Sequence, residues 1–513
     1  MQESQAPLLT TTESQPEPLR HRTARAGMVS GGAEVVTRVL TVALSIATAR
    51  ALEPGEVGAL ALAVIVIGIV SVVASYAETA AIVSRSEASD GQYAFAAALI
   101  RGAITVVLLT TVVSALPVTT RLLAGKEGAV PQLAALVSAL MWQPALELAA
   151  SYPRVILLRQ LDLTYLAWVN LIQVVSHVGL SVALLWSGYG AMGVVWSSLI
   201  TAALTALLLW FRVARSRMPR GSSGPSKRVW RQIALETANI FSGGFIGYIN
   251  MRLDNLLVAA ALGPTGMSFY SMAWNASRAP VMVLSTAFSS VLMPTMARIQ
   301  SDGERLKRAV SESLQHSYIL LAPVSMAMFL YAGTIVPVVL GAKWTPMVPC
   351  LQVMAITILV APLLYAWQAL FIVSRRAYLT SIPAIVHIVL LALLMVPVTR
   401  WKGLVGAAFI DMIGASMLTL TGIVLSSRLR ATLTWPVLCA VFAPIGAAVV
   451  SGLLGYAVGY ALADGIGHDT LRVGVALLAY PIALVLFGGR NALWNTVGLF
   501  RAMGRPGMSW AAR

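Results

Sequence analysis

The chain has 513 residues, of which 58% are hydrophobic and 11% charged, with a mean hydropathy of +0.80. So apolar a balance excludes an ordinary soluble domain and points to a polytopic membrane protein. The formal net charge of +16 raises nucleic acid as a partner, but the placement of the basic residues argues against it.

Residues 1–25 are polar and run from acidic (Glu3, Glu13, Glu17) to basic (His21 to Arg25). A secretory signal would run from basic to apolar, so this stretch is expected to be a disordered cytoplasmic tail. Taking about 20 apolar residues as one crossing, about fourteen helical segments follow. The first six span 27–49, 56–81, 93–117, 130–152, 163–187 and 190–211. The next six span 233–262, 266–297, 314–341, 346–373, 377–398 and 403–426, and two more cover 435–462 and 471–488. Long apolar runs without two-residue alternation favour helices over a barrel.

The expected organisation is an N-lobe (26–212), a basic linker rich in Gly, Ser and Pro (213–232), a C-lobe (233–427), two further helices (428–489) and a cytoplasmic tail (490–513). An internal echo supports the division: Ala51-Leu52-Glu53-Pro54 recurs as Ala261-Leu262-Gly263-Pro264 after the first helix of each group. Duplicated halves with a site between them are a common transporter plan. With alternate loops assigned to opposite sides, about 25 of the 36 Lys and Arg fall on the side of the termini and about seven on the other, which places both termini in the cytoplasm. The basic surface then orients the chain and meets anionic lipid headgroups, with no nucleic-acid partner expected. Cys350 and Cys439 lie in different apolar segments and are read as packing residues.

Charges inside apolar segments are the strongest functional signal, because such groups usually face a bundle interior or a watery cavity. In the first helix Glu34 and Arg38 are four apart, suited to an intrahelical ion pair or to a cavity wall. Glu78 is either interfacial or a proton or substrate group, and Arg101 either snorkels or lines a cavity. Asn170, Gln173 and His177 form one stripe, explained equally by helix-to-helix hydrogen bonds and by contacts to sugar hydroxyls. Asp411 is expected to cap or pair structurally.

The stretch Ser242–Pro280 concentrates the signal. At about 100° per residue, Tyr248, Arg252 and Asn255 share one helix face, and Asn250 and Asp254 share nearly the opposite one. Arg252 and Asp254 are therefore poor partners on a regular helix. Arg278 precedes Pro280, which suggests a helix irregularity beside a cation. No phosphate-binding GxxxxGK[ST] loop, HExxH or GxSxG motif is found, and no long exterior loop bears the carboxylates of a glycosyltransferase. A non-enzyme without a cofactor is expected.

Several of these residues carry a resemblance. Arg50-Ala-Leu-Glu-Pro-Gly-Glu-Val-Gly58 resembles the R-x-L-x-P-x-x-x-G turn of the polysaccharide transporter, or Wzx-type oligosaccharide flippase, family of the MATE-like MOP superfamily. Arg252-Leu-Asp-Asn-Leu-Leu257, Leu262-Gly-Pro264, Tyr270, Pro294 and the Arg298–Arg308 loop extend it over most of 27–427. The resemblance implies an all-α membrane protein of two six-helix lobes in a V plus two C-terminal helices. It implies movement of a polyprenyl-pyrophosphate-linked oligosaccharide across the bacterial cytoplasmic membrane by alternating access, with membrane lipids and glycan-assembly machinery as further partners.

On that reading Arg252 and Arg278, helped by Arg38 and Arg101, would hold the pyrophosphate, since guanidinium donors grip phosphate oxygens in pairs. Tyr248, Asn250 and Asn255 would contact substrate, and Asp254, Glu34 and Glu78 are candidates for ion coupling or for orienting the arginines. A MATE-like cation-coupled multidrug exporter is the alternative; its cavity would be acidic, with Asp254, Glu34 or Glu78 as the main site.

Overall fold

The computed structural model describes residues 36–83, 100, 102–112, 114, 130–160, 162–215, 227–287, 296, 302–374, 376–427, 435–461 and 472–487, and among these every extended regular element is helical. The expected tails 1–25 and 490–513, linker residues 216–226, Glu34, Arg101 and the side chain of Glu78 lie outside the described residues.

The first half contains α1 (36–51), α2 (Pro54–Val83), α3 (Gly102–Val112), α4 (Val130–Leu140), α5 (Gln143–Arg159), α6 (Leu163–Trp186) and α7 (Gly190–Arg215). The second contains α8 (Lys227–Ala287), α9 (Gly303–Val339), α10 (Val348–Thr357), α11 (Ala361–Val373) and α12 (Ser381–Ser427), followed by α13 (Trp435–Ala461) and α14 (Arg472–Phe487). Eight of the described helices are long and apolar enough to cross a membrane, or nine when α10 and α11, bent by 42°, are taken as one broken span.

Two of these helices are too long for one crossing. At about 1.5 Å per residue, α8 would extend about 90 Å, three times an apolar layer of about 30 Å. It folds back at Gly263, whose φ of 76° and ψ of −176° leave the helical region, and Pro264, lacking an N–H, starts the returning limb. The hydroxyl of Tyr270 reaches Asp254 at 3.1 Å across that break, which a straight helix would forbid. α12 does the same at Gly403 (φ 63°, ψ −147°), so that a methyl group at Gly414 would press on the ring of His387. A positive φ at both turns favours the residue without a Cβ. The expected pairs 233–262/266–297 and 377–398/403–426 separate at these glycines. Pro280, where an irregularity is expected, instead lies within the returning limb of α8, whose one departure from helical geometry is Gly263.

Two expected segments, 130–152 and 346–373, are broken instead of continuous. α4 and α10 begin with Val130-Pro131 and Val348-Pro349, and their continuations α5 and α11 begin with Gln143-Pro144 and Ala361-Pro362. Both features recur at one offset of 218 residues (130 to 348, 143 to 361), a second and stronger sign of duplication. Proline suits the second position of each half-helix, where an N–H would lack an intrahelical acceptor.

The halves meet along α2 and α8. A methyl group at Gly58 would overlap the Pro264 carbonyl, one at Gly68 would overlap the Tyr248 hydroxyl, and that hydroxyl donates to Ile65 O at 2.9 Å. Small residues let backbones approach where lipid supplies no hydrophobic drive between helices. At the ends of the helices that carry Arg50 and Lys343, the halves are joined by polar contacts. Arg50 donates to Val339 O (2.8 Å) and Val338 O (2.6 Å), Lys343 Nζ donates to Arg50 O (3.1 Å) and Leu52 O (2.7 Å), and the buried Trp344 donates to Ala49 O (2.8 Å). A single core runs through this junction, holding Leu62, Met267, Tyr270, Trp344 and Met354. α13 and α14 pack on α9, where Tyr480 donates to Ile319 O at 2.9 Å.

Because Gly58 touches backbone, Gly58→Val is expected to lower stability by about 1–3 kcal/mol through overpacking, read as a fall in the melting temperature of the detergent-purified protein. Gly179→Ala, where a Cβ meets nothing within 4 Å, should leave it unchanged.

Candidate functional site

The folding back of α8 and α12 brings together polar groups from four limbs within an apolar layer. Asp254, 4% exposed, lies on the outgoing limb of α8 and Asp411, 3% exposed, on the returning limb of α12. Asp254 accepts hydrogen bonds from Asn255 Nδ2 (3.0 Å) and Tyr270 Oη (3.1 Å). Asp411 Oδ2 is buried and accepts no hydrogen bond among the described residues. His387, on the outgoing limb of α12, bonds through Nδ1 to Asn250 Oδ1 at 3.0 Å. The site is therefore built from both hairpins, and the glycine turns set its assembly.

Arg278, on the returning limb of α8, is the cation of this group. Its charge acts across space on Asp254, Asp411 and His387, and its guanidinium lies 4.9 Å from the Trp274 ring centroid. Among the described residues none accepts a hydrogen bond from its guanidinium, which carries a planar fork of donors. Arg38, from the first half, approaches the same limb: its Nη1 lies 3.8 Å from Met282 Sδ. Met282 is one helical turn beyond Arg278 and shares its face. Arg252 is half-buried beside Tyr248 on the face turned toward α2, and no described contact joins it to Asp254 or Arg278.

Of the expected site residues, Asp254, Asn255, Asn250 and Arg278 are thus brought into one cluster, Arg38 reaches its edge, and Arg252 with Tyr248 stands on a neighbouring face. Three members escaped the sequence reading. Asp411 is expected to cap or pair structurally, His387 lies within a hydrophobic run, and Tyr270 enters only through the family resemblance. Their convergence depends on the two hairpins, which no spacing reveals. A further intramembrane acid, Glu147 on α5, is legible by the same rule that singles out Asp254. In the first half, His177 Nδ1 lies 3.2 Å from Ser197 Oγ, itself 2.5 Å from Ser181 Oγ, so helix-to-helix bonding between α6 and α7 engages that part of the polar stripe.

A family model described as "Polysaccharide biosynthesis protein" matches residues 47–349. The lipopolysaccharide biosynthesis protein WzxC of Escherichia coli (strain K12) is 32% identical over 111 residues, 22% of this chain and 23% of that one. The succinoglycan biosynthesis transport protein ExoT of Rhizobium meliloti (strain 1021) is 28% identical over 122 residues, 23% of this chain and 25% of that one. The chain thus aligns with about a quarter of the length of each of these two relatives. Among solved structures, the lipid II flippase MurJ in an inward closed conformation superposes with a TM-score of 0.74 at 13% identity, covering 90% of this chain and 98% of that one. The likeness is one of fold.

Removing the cation should be felt by both acids. Arg278→Met is expected to destabilise the protein by about 1–3 kcal/mol, and adding Asp254→Asn should restore part of the loss. Thermal unfolding in detergent reads both; a single variant as stable as the parent would detach Arg278 from the cluster.

Proposed function

This chain belongs to the polysaccharide biosynthesis protein family, and from that premise we propose that it moves a polyprenyl-pyrophosphate-linked oligosaccharide across the bacterial cytoplasmic membrane. The observation that carries the reading is Arg278: a guanidinium inside an apolar span, balanced at a distance by two buried carboxylates, with no hydrogen bond to another described residue. A pyrophosphate offers paired oxygens to such a fork and gains most where water is scarce. Arg38 comes from the opposite half and Arg252 from the adjoining face, so an anion held by them would touch both halves of the molecule.

Transport proceeds by rocking of the halves, with no covalent bond changed. The contacts of Arg50, Lys343 and Trp344 to backbone carbonyls close the outer ends, and both termini lie in the cytoplasm. Water can replace the polar contacts of that closure at each cycle, whereas the packed α2–α8 seam supplies the pivot. When Arg278 turns toward the substrate, Asp254 and Asp411 lose their counter-charge. Uptake of a cation at these acids restores neutrality and couples the two events, and Asp254 otherwise keeps Arg278 oriented. The glycan-assembly machinery of the cell supplies the cargo and takes it up.

Arg278→Ala and Arg252→Ala are expected to lower surface delivery of the lipid-linked glycan at least about tenfold, the worth of one charge-assisted hydrogen bond or more, while the protein still reaches the membrane. Arg278→Lys should recover part of the activity, since it keeps the charge and loses the fork. Delivery at the parental rate in both alanine variants sinks the binding role; resistance to cationic drugs conferred by the parent protein would favour a multidrug exporter instead.

A further inference from the structure

The two matched helix breaks are not equivalent. Interrupted helices at corresponding positions of two transporter repeats mark where ligands bind. In the second half the break is filled by protein: Tyr318 donates to Leu359 O and Ser325 to Ala355 O, each at 2.7 Å. In the first half the break between α4 and α5 presents side chains instead. Gln143 Nε2 donates to Glu147 Oε1 at 2.9 Å, one turn apart on the same face, and Trp142 beside them is 66% exposed.

Trp142 is out of place for a lipid-facing indole. The other exposed tryptophans among the described residues are Trp168, Trp186, Trp196, Trp210 and Trp401. Each lies within two turns of an end of its membrane-length segment or of the Gly403 break, where indoles settle at the membrane–water boundary. Trp142 lies deep inside the 27-residue span Gln132–Leu158, and Glu147 is closer still to its middle. A carboxylate at that depth faces a bundle interior or a hydrated space, and the neighbouring indole is most simply accommodated by the same space.

We propose that Trp142, Gln143 and Glu147 form a saccharide subsite, which takes one sugar ring of the lipid-linked oligosaccharide; it rests on the flippase reading and adds the glycan contact to the pyrophosphate contact at Arg278. The C–H face of a pyranose stacks on an indole, and its hydroxyls donate to a carboxylate, the stronger class of hydrogen bond. Gln143 holds Glu147 in one orientation and keeps a second amide proton and its carbonyl for the sugar. The division of labour is chemical: arginines take the anionic head, and the acid, amide and indole take the neutral glycan.

Purified protein is tested for binding of two lipids, polyprenyl pyrophosphate bearing one N-acetylhexosamine and the same lipid without sugar. Trp142→Ala and Glu147→Gln are expected to weaken binding of the glycosylated lipid about tenfold and leave the bare lipid unchanged, while Trp142→Phe keeps most of the affinity. Unchanged binding, or equal weakening of both lipids, overturns the subsite. A parent protein that binds neither lipid counts against the flippase reading instead. Independently of any ligand, Trp142→Cys in a Cys350→Ala, Cys439→Ala background should react with a membrane-impermeant maleimide in proteoliposomes; protection from it at both faces would place residue 142 in lipid and overturn the subsite too.

Discussion

Two carboxylates buried in an apolar helical layer must be balanced by something, and Arg278 acts on both. Asp254 and Asp411 lie on different hairpins, so the charge between them ties the folding of α8 at Gly263 to the folding of α12 at Gly403. Tyr270 and Asn255 donate to Asp254, and His387 pairs with Asn250 beside them. In lipid there is no water to supply such bonds, so a partial assembly leaves charge exposed to hydrocarbon, which makes these groups the most demanding part of the second half. The same arrangement holds a guanidinium inside the layer without a hydrogen bond to another described residue.

Duplication sets where such groups can sit. Both halves repeat a proline-led second helix and a fourth helix broken near its middle, and the halves then diverge at the break. Hydroxyls of Tyr318 and Ser325 close the second-half break, whereas the first half keeps an acid, an amide and an indole there. One architecture, used twice, thus places an arginine with two acids in one half and an acid, an amide and an indole at the break of the other. The glycine seam of α2 packs closely on α8, and the Arg50–Lys343 junction joins the halves through backbone carbonyls.

How much of this was readable from residues alone differs by level. The helical class, the membrane-spanning character and the family resemblance follow from hydropathy runs and short turns such as Arg50–Gly58. Arg278 and Asp254 were visible as charges where charge is costly. Arg252 was visible on the same ground, yet the fold turns it toward α2 beside Tyr248 and away from Asp254. That separation was already implied by helical periodicity, since residues two apart point nearly opposite ways. Asp411 and His387 were hidden because each, taken on its own helix, has an ordinary explanation.

Composition and pattern by themselves determined what this protein is made of: apolar helices long enough to cross a membrane. Those properties are local, set by about 20 residues at a time against the thickness of a bilayer. Which charges meet was decided only by tertiary structure. The turn at Gly263 carries Tyr270 and Arg278 back past Asp254, and the turn at Gly403 places Asp411 and His387 on antiparallel limbs. Electrostatic energy depends on distance in space, and distance along the chain predicts it only until the chain turns.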